Sequence, residues 1–330
     1  MPLFKAYYSE DFEQQTDVEE VIKKWNQGDE KFKIYTSGTT SKPKKITLTR
    51  KLLIWSAKTT QNILGHETHQ IMCCLPVNKT GGFMQLIRAL VWDCEIHFYK
   101  PSNNPLEVIE NHNFTTISLT PTQFKSSFDN SFEKLNKFNH ILIGGAPLNN
   151  PSVFIERLKH PQIWCTYGIT ETASHIAMQN LSKNETSFKP LPGVKIRMNK
   201  TLEIHIPEVN LNVKTNDIVH LKNDGFLVLG RSDDTINSGG IKIHPYLLES
   251  TVEDVFQKMD LKKKFYISKE NHTQYGEVPV LTIEGEPDFD QSQFMQIITQ
   301  QLPKYHAPKK IYFTPKITDT DTGKVIREAY

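Results

Sequence analysis

Five short apolar runs, Ile71–Leu75, Glu95–Tyr99, Thr115–Leu119, Ile141–Ile143 and Ile163–Thr166, recur along the first half of the chain. Each is bounded by turn residues and separated from the next by a segment of helical character. A half-exposed strand alternates polar and apolar side chains, whereas a strand covered on both faces is apolar throughout. Continuous runs spaced by helices therefore predict a largely parallel sheet with helices on both faces. The length, 330 residues, allows a substantial core and suggests about two domains. Ligands of such sheets bind beyond the carboxyl ends of the strands, which directs attention to the loops Pro76–Gly82, Gly144–Leu148 and Tyr167–Ser174.

Ahead of these runs, residues 1–30 are charged, carry a weak helical period (Val18, Val21, Ile22, Trp25) that ends near Gly28, and read as a lead-in. Leu48-Thr49 followed by Leu52, Leu53 and Ser56 predicts a helix with Thr49 as N-cap and Gly65 as its stop. From Val194 the pattern changes to alternation (Val194, Ile196, Met198; Leu202, Ile204, Ile206; Ile218, Val219, Leu221), which predicts antiparallel strands with Asp224-Gly225 as a hairpin turn. The chain turns polar at Gly230–Asp234. Beyond it lies a unit near the usual domain size, with a helix through Leu248, Val252, Val255, Phe256 and Met259, strands at Lys264–Ile267 and Val278–Ile283, a helix through Phe294, Ile297 and Ile298, and a polar tail. The expected fold is α/β. Residues 1–232 form a large N-terminal domain with mostly parallel sheets covered by helices and an antiparallel β portion, residues 233–330 a small α+β C-terminal domain, and the boundary falls at Asp233.

Lys and Arg number 39 against 37 Asp and Glu, a formal net charge of +2, so bulk charge gives no argument for nucleic acid or an anionic membrane surface. The start lacks the apolar core of a secretory signal and no stretch is apolar enough to span a bilayer, so a cytoplasmic protein without membrane insertion is expected. The cysteines Cys73, Cys74, Cys94 and Cys165 sit in apolar runs without CxxC or Cys/His metal spacing and read as buried thiols. His66-Glu67-Thr68-His69 resembles a zinc motif only superficially, because its histidines are three apart where a helical zinc pair is four apart.

Ile34–Lys45 packs hydroxyl residues, Gly38 and three lysines into one loop after a strand-like run. Hydroxyls, backbone N–H groups and ammonium groups on one turn suit a polyphosphate, which only accepts hydrogen bonds. It is not of the Walker type, since Pro43 separates the lysines where a Gly-Lys-Ser/Thr end should open a helix. Taken alone, the loop reads either as a phosphate cradle or as a solvated Ser/Thr/Lys-rich turn.

Taken together, the motifs resemble the adenylate-forming superfamily of acyl- and aryl-CoA ligases. They occur in that family's order: Tyr35–Lys44, Gly144–Pro147, Tyr167–Thr172, Thr215-Asn216-Asp217, Gly230–Asp234, Ser238–Ile243 and Gly323–Arg327. The resemblance implies ATP, Mg2+ and coenzyme A together with a small-molecule carboxylic acid. It implies that Thr36, Ser37, Gly38, Thr39, Thr40 and Lys44 hold the β- and γ-phosphates, that Thr170 contacts the α-phosphate and that Glu171 binds magnesium. Adenine is implied against Gly145, Ala146, Pro147, Tyr167 and Gly168, and ribose at Asp217 and Arg231. Lys324 is implied as the catalytic lysine, entering for adenylation and leaving when a mobile small domain rotates about hinge Asp233, so that Ser238, Gly239 and Gly240 line the path of the coenzyme A thiol. Two glycines usual in the family are Ser41 and Asn216 here. The region ahead of the phosphate loop is shorter than the family's, so one layer of the large domain is expected to be missing.

The acid pocket is read from Leu75–Phe83 and the apolar run interrupted by Arg88. An arginine there is costly to desolvate without an anion. It either pairs with an internal carboxylate, snorkels to the surface, or meets a second carboxylate on the substrate. Within the superfamily this stretch resembles the o-succinylbenzoate–CoA ligases of menaquinone synthesis, whose substrate carries two carboxylates. The resemblance implies Arg88 for the aromatic one, with Lys79, Thr80 and Gly81 beside it. The rival readings are a ligase for another aromatic or fatty acid, a stand-alone adenylation unit that loads a carrier protein, and a nucleotide-binding module without turnover. Replacing the lysine separates the two half-reactions: Lys324→Ala is expected to lose adenylation by about two orders of magnitude or more yet still form thioester from supplied acyl-adenylate. Equal loss of both would remove Lys324 from the first step.

Overall fold

The computed structural model describes residues 3–35, 44–110, 112–318 and 325–327. The chain divides into two compact units. The first comprises Met1–Ile196, Ile204–Val213 and Asn223–Gly225, and the second Arg197–Glu203, Lys214–Lys222 and Phe226–Tyr330.

The first unit is built on a sheet whose strands are β1 (Lys5–Tyr8), β4 (Gln70–Cys73), β5 (Glu95–Phe98), β6 (Thr116–Leu119), β7 (His140–Ile143), β8 (Gln162–Gly168), β9 (His175–Asn180) and β10 (Lys189–Pro190), in the order β1-β5-β4-β6-β7-β8-β9-β10. Every neighbouring pair from β1 to β8 is parallel, and β9 and β10 close the sheet antiparallel. The five expected runs are thus its inner strands. Strand order reverses after β5: helix α3 (Thr80–Trp92) carries the chain from β4 outward to β5, and the next strand, β6, pairs on the other side of β4. Parallel crossovers are right-handed, so reversing their direction moves the connecting helices to the opposite face. Accordingly α4 (Pro121–Asn130), α5 (Phe132–Leu135) and α6 (Pro151–Arg157) share one core with Ile117, Leu119, Ile141, Ile143, Ile163 and Cys165. Gln85, Arg88 and Trp92 of α3 lie against the alternate residues Ile71, Thr116, Ser118 and Leu142.

Helix α1 (Gln15–Asn26) ends ahead of Gly28, which sits at φ +81°. Helix α2 (Arg50–Leu64) begins at Thr49, whose hydroxyl accepts from Leu52 N at 3.2 Å, and stops at Gly65, as the sequence leads one to expect. Helices α2 and α3 pack together, pinned by Trp92 Nε1 donating to Ala57 O at 2.8 Å. The strands β2 (Lys31–Tyr35) and β3 (Lys45–Thr49) form an antiparallel hairpin, so the expected phosphate loop joins two paired strands.

The division between the units runs through two small sheets, β11 (Lys195–Met198), β12 (Leu202–Ile206) and β13 (Leu211–Lys214), and β14 (Asp217–Lys222) with β15 (Gly225–Arg231). The turn between β14 and β15 is Asn223–Asp224, one residue earlier than expected. Gly225 instead opens a strand, where a Cβ would stand 2.2 Å from Phe188 O. The second unit joins β16 (Ile236–Ser238), β17 (Ile241–Ile243), β18 (Phe265–His272), β19 (Gly276–Glu284) and β20 (Lys310–Thr314) in one mixed sheet. Its core unites that sheet with Leu248, Val252, Val255 and Phe256 of α7 (Pro245–Lys258) and Phe294 and Ile298 of α8 (Gln291–Gln301).

Two expectations are corrected. The lead-in supplies β1, an edge strand parallel to β5, and the polar tail supplies β20, parallel to β19. Both carry charged or hydroxyl side chains outward, as edges do, which breaks the apolar run that marks a strand. In β20, Lys310 Nζ and Tyr312 Oη both donate to the Glu270 carboxylate, the latter at 2.7 Å.

Close backbone packing makes one glycine especially sensitive. A Cβ on Gly168 would lie 2.1 Å from Ser174 O and 2.4 Å from His175 Cα, both backbone atoms, whereas one on Gly81 would meet only the end of the Leu75 side chain at 2.9 Å. Gly168→Ala is expected to cost about 2 kcal/mol or more and Gly81→Ala under about 1 kcal/mol, measured as the midpoint of denaturant unfolding. Equal midpoints would refute the packing argument.

Candidate functional site: the crevice at the strand carboxyl ends

The reversal of strand order opens a crevice between the carboxyl ends of β4 and β6, the position where open α/β sheets receive ligands. The loop 74–79 leaves β4 there and leads into α3. The segments after β7 (144–150) and β8 (169–174) emerge at the same end of the parallel strands. Strand β3 packs against the turn Thr170–Thr172, which brings a stem of the expected phosphate loop to that turn.

The β8–β9 turn is tightly built. Thr172 is fully buried, and its hydroxyl lies 2.7 Å from Ser174 O and 2.9 Å from Ile169 O, two carbonyls that share one donor. The next residue, Ala173, is buried at φ +63°, a left-handed conformation costly for alanine that persists because its neighbours hold it. The strain fixes the residues on either side. Thr170 Oγ1 lies 2.9 Å from Thr80 Oγ1 in the first turn of α3, so two residues expected at the α-phosphate and the acid meet directly. The Glu171 carboxylate makes no hydrogen bond or ion pair among the described residues, which leaves its oxygens available to a cation.

Helix α3 starts at Lys79, with Thr80, Gly81 and Gly82 in its first turn. A Cβ on Gly82 would stand 2.4 Å from both Leu75 O and Pro76 O, so glycine lets the helix start pack onto the loop from β4. Two turns further on is Arg88, 5% exposed. Its Nη2 donates to Ser174 Oγ at 2.8 Å and lies 3.4 Å from His175 Nδ1. Its Nε has no partner, and no carboxylate pairs with it among the described residues. Burial brings the guanidinium down to about 10, still charged at neutral pH. Of the three fates open to Arg88 from sequence, the structure removes surface snorkelling and finds no internal carboxylate among the described residues.

Sequence reasoning did not single out His175 or Thr60. His175 is buried, and burial followed by the Arg88 charge holds its imidazole well below the usual range, so the ring is neutral. Its Nε2 lies 3.0 Å from Thr60 Oγ1 on α2. The available signal was Ser56 and Thr60, hydroxyls one turn apart on the apolar face of α2.

At the end of β7, Gly144 approaches Thr166 so closely that a Cβ would be 2.4 Å from its Oγ1, and Gly145 turns at φ +92°. Ala146 and Pro147 continue this loop, with Pro147 exposed. Tyr167 stands with its ring 5.9 Å from Phe188, and Gly168 follows it. Cys73 and Cys74, at the end of β4, are completely buried free thiols.

The second unit gathers another group. Asp217, 8% exposed, lies 3.8 Å from Arg231 Nη1, while Arg231 holds Asp233 in a two-pronged pair at 2.9 and 2.7 Å. That pair raises Arg231 and lowers Asp233 from their ordinary values. Ser238 is buried at the end of β16, followed by Gly239 and Gly240 at φ +57° and +84°. Arg327 Nη2 reaches both Glu249 oxygens at 2.8 Å. Lys44 is exposed just before β3. Thr36, Ser37, Gly38, Thr39, Thr40 and Lys324 lie outside the described residues.

Comparison with known proteins agrees with this fold. The family model described as AMP-binding enzyme matches residues 4–208. A 2-succinylbenzoate–CoA ligase of Listeria monocytogenes is 26% identical over 321 residues, 89% of this chain and 68% of the relative. The o-succinylbenzoate CoA synthetase of Bacillus subtilis, solved with its acyl-adenylate intermediate, superposes with a TM-score of 0.78 at 25% identity, over 89% of this chain and 67% of that one. An acyl-CoA synthetase (AMP-forming)/AMP-acid ligase II-like protein of Dyadobacter fermentans gives a TM-score of 0.60 at 30% identity, over 93% and 90%. With the family model spanning more than half of its length, the chain belongs to the AMP-binding enzyme family.

Proposed function

We propose that this chain is an ATP-dependent ligase that converts o-succinylbenzoate to its coenzyme A thioester through an acyl-adenylate, a step of menaquinone biosynthesis. The observation that carries the substrate is Arg88, a buried cation without an internal carboxylate among the described residues, held against the turn that bears Thr170 and Glu171. An unpaired buried charge costs several kcal/mol, and an anionic group on the substrate offsets that cost. The names of the Listeria and Bacillus relatives support the same acid.

In the first step an oxygen of the succinyl carboxylate attacks the α-phosphorus of ATP, the bond to the β-phosphate oxygen breaks, and pyrophosphate leaves. The nucleophile is already ionised, so no base is required. The residues must bring two anions together and stabilise charge on the phosphoryl group. Thr170, oriented by Thr80, contacts the α-phosphate, while Thr36, Ser37, Gly38, Thr39, Thr40 and Lys44 hold the departing phosphates. Glu171 holds magnesium, which when bound neutralises phosphate charge. Gly145, Ala146, Pro147, Tyr167 and Gly168 receive adenine, Asp217 and Arg231 the ribose, and Lys324 the α-phosphate. Arg88 holds the aromatic carboxylate, with Lys79 adding positive charge and Thr80 and Gly81 shaping the pocket. In the second step the coenzyme A sulfur attacks the acyl carbon and AMP leaves. Residues 233–330 rotate about Asp233 against residues 1–232, so that Lys324 withdraws and Ser238, Gly239 and Gly240 line the thiol's path.

Pyrophosphate release with ATP and magnesium across an acid panel tests this reading. The panel comprises o-succinylbenzoate, benzoate, a medium-chain fatty acid and a succinylbenzene lacking the aromatic carboxylate. Wild type is expected to prefer o-succinylbenzoate, and Arg88→Ala to lose that preference by about 100-fold. Chelating magnesium abolishes turnover. Activity on the monocarboxylates, unchanged by the mutation, would discard the acid assignment while keeping the ligase chemistry. Arg88→Met, an apolar replacement of similar length, is expected to unfold at the same or a higher temperature than wild type, because it removes a buried charge. A fall of several degrees would mean that Arg88 is structural.

A further inference from the structure

The contacts behind Arg88 form a directed chain. Thr60 is wholly buried, and its hydroxyl donates to Ser56 O one turn earlier in α2, at 2.8 Å. A hydroxyl has one proton, so the 3.0 Å contact with His175 Nε2 requires the imidazole to be the donor. That places the proton of the neutral ring on Nε2 and leaves a lone pair on Nδ1. This lone pair faces Arg88 Nη2 at 3.4 Å and Ser174 Oγ at 3.3 Å. Ser174 Oγ in turn accepts from Arg88 Nη2 at 2.8 Å. Every link points the same way, from the guanidinium through the imidazole to a helix carbonyl. The pin from Trp92 to Ala57 holds α2 and α3 together, which fixes Thr60 relative to Arg88.

We infer that His175 and Thr60 are positioning residues: the Nε2–H tautomer that Thr60 imposes aims the Arg88 fork, and so sets selectivity for an aromatic acid that carries a second carboxylate. The inference rests on Arg88 being the ligand of that carboxylate. Two observations favour positioning over simple packing. All the partners of Nη2 are neutral acceptors, which orient a guanidinium without cancelling its charge; a carboxylate at position 175 would hold it more strongly but neutralise it. The chain also engages one corner of the fork: Nε and Nη1 make no hydrogen bond among the described residues, Nε is enclosed, and Nη1 is the prong left for a ligand.

The experiment compares KM for o-succinylbenzoate, KM for ATP, and selectivity over the analogue lacking the aromatic carboxylate. His175→Leu is expected to raise KM for o-succinylbenzoate about tenfold, and Thr60→Val about fivefold, with KM for ATP moving less than about twofold. His175→Gln, which can accept from Arg88 and donate to Thr60, and Thr60→Ser restore most of the selectivity. His175→Glu abolishes it by pairing with Arg88. Unchanged selectivity in His175→Leu and Thr60→Val, where Arg88→Ala loses it, would overturn the positioning role and keep the substrate reading. Unchanged selectivity in Arg88→Ala would overturn both. Nitrogen-15 NMR of histidine-labelled wild type adds a readout that needs no variant of His175 to fold: the His175 signals are expected to be those of the neutral Nε2–H tautomer, assigned as the set altered by Thr60→Ser. A proton on Nδ1 would refute the mechanism.

Discussion

The handedness of parallel crossovers governs the first unit. Because the chain moves outward through α3 to β5 and then returns past β4 to β6, the helices must divide between the two faces, and the carboxyl ends of β4 and β6 separate. The crevice is thus a topological product, present before any side chain is chosen. Side chains then specialise its walls. The face beneath α4–α6 is filled by Ile, Leu and Phe, whereas the face beneath α3 carries Thr116 and Ser118 among apolar neighbours and lies under Arg88. The side of the sheet beneath α3, which serves the proposed acid pocket, thus carries hydroxyl side chains at its centre.

That choice carries an energetic cost that the rest of the crevice manages. A guanidinium that shares its buried space with Ile71, Trp92 and Leu142 is stable only if its donors are oriented and its charge is matched, a match that the proposed substrate would supply. The strained β8–β9 turn supplies Ser174 and His175 as orienting groups, and in the same few residues presents Thr170 and Glu171. Backbone strain at Ala173 and the close approach at Gly168 therefore act on the proposed phosphate side and the proposed acid side together. Distortion of the turn moves both.

Much of this was legible in the sequence. Apolar runs at 71–75, 115–119, 141–143 and 163–166 identified buried parallel strands, because burial on both faces leaves little polar alternation, whereas 95–99 alternates Glu95 and His97 with the buried Ile96 and Phe98. Thr49 and Gly65 marked the ends of α2 through local capping chemistry. What stayed hidden was non-local. Strands β1 and β20 sit at edges where charged side chains are favoured, and β3, with lysine and threonine at three of its five positions, does not stand out. Arg88 was conspicuous by its apolar setting, but its partners come from a turn and a helix far away in sequence, and a threonine in an amphipathic helix gives no sign that it faces an imidazole.

Cysteine burial has a chemical consequence. An acyl-adenylate is a strong electrophile toward thiolates, and an enzyme that makes one in order to hand it to a thiol must keep its own sulfurs from intercepting it. Burial lifts Cys73, Cys94 and Cys165 to about 12 and Cys74 well above its ordinary value. All four thiols are therefore protonated and enclosed, Cys73 among them although it ends β4 and Cys74 although it opens the loop proposed for the acid. The protein sulfurs are withdrawn from the competition for the activated acyl group, and self-acylation is suppressed by the same apolar packing that forms the sheet.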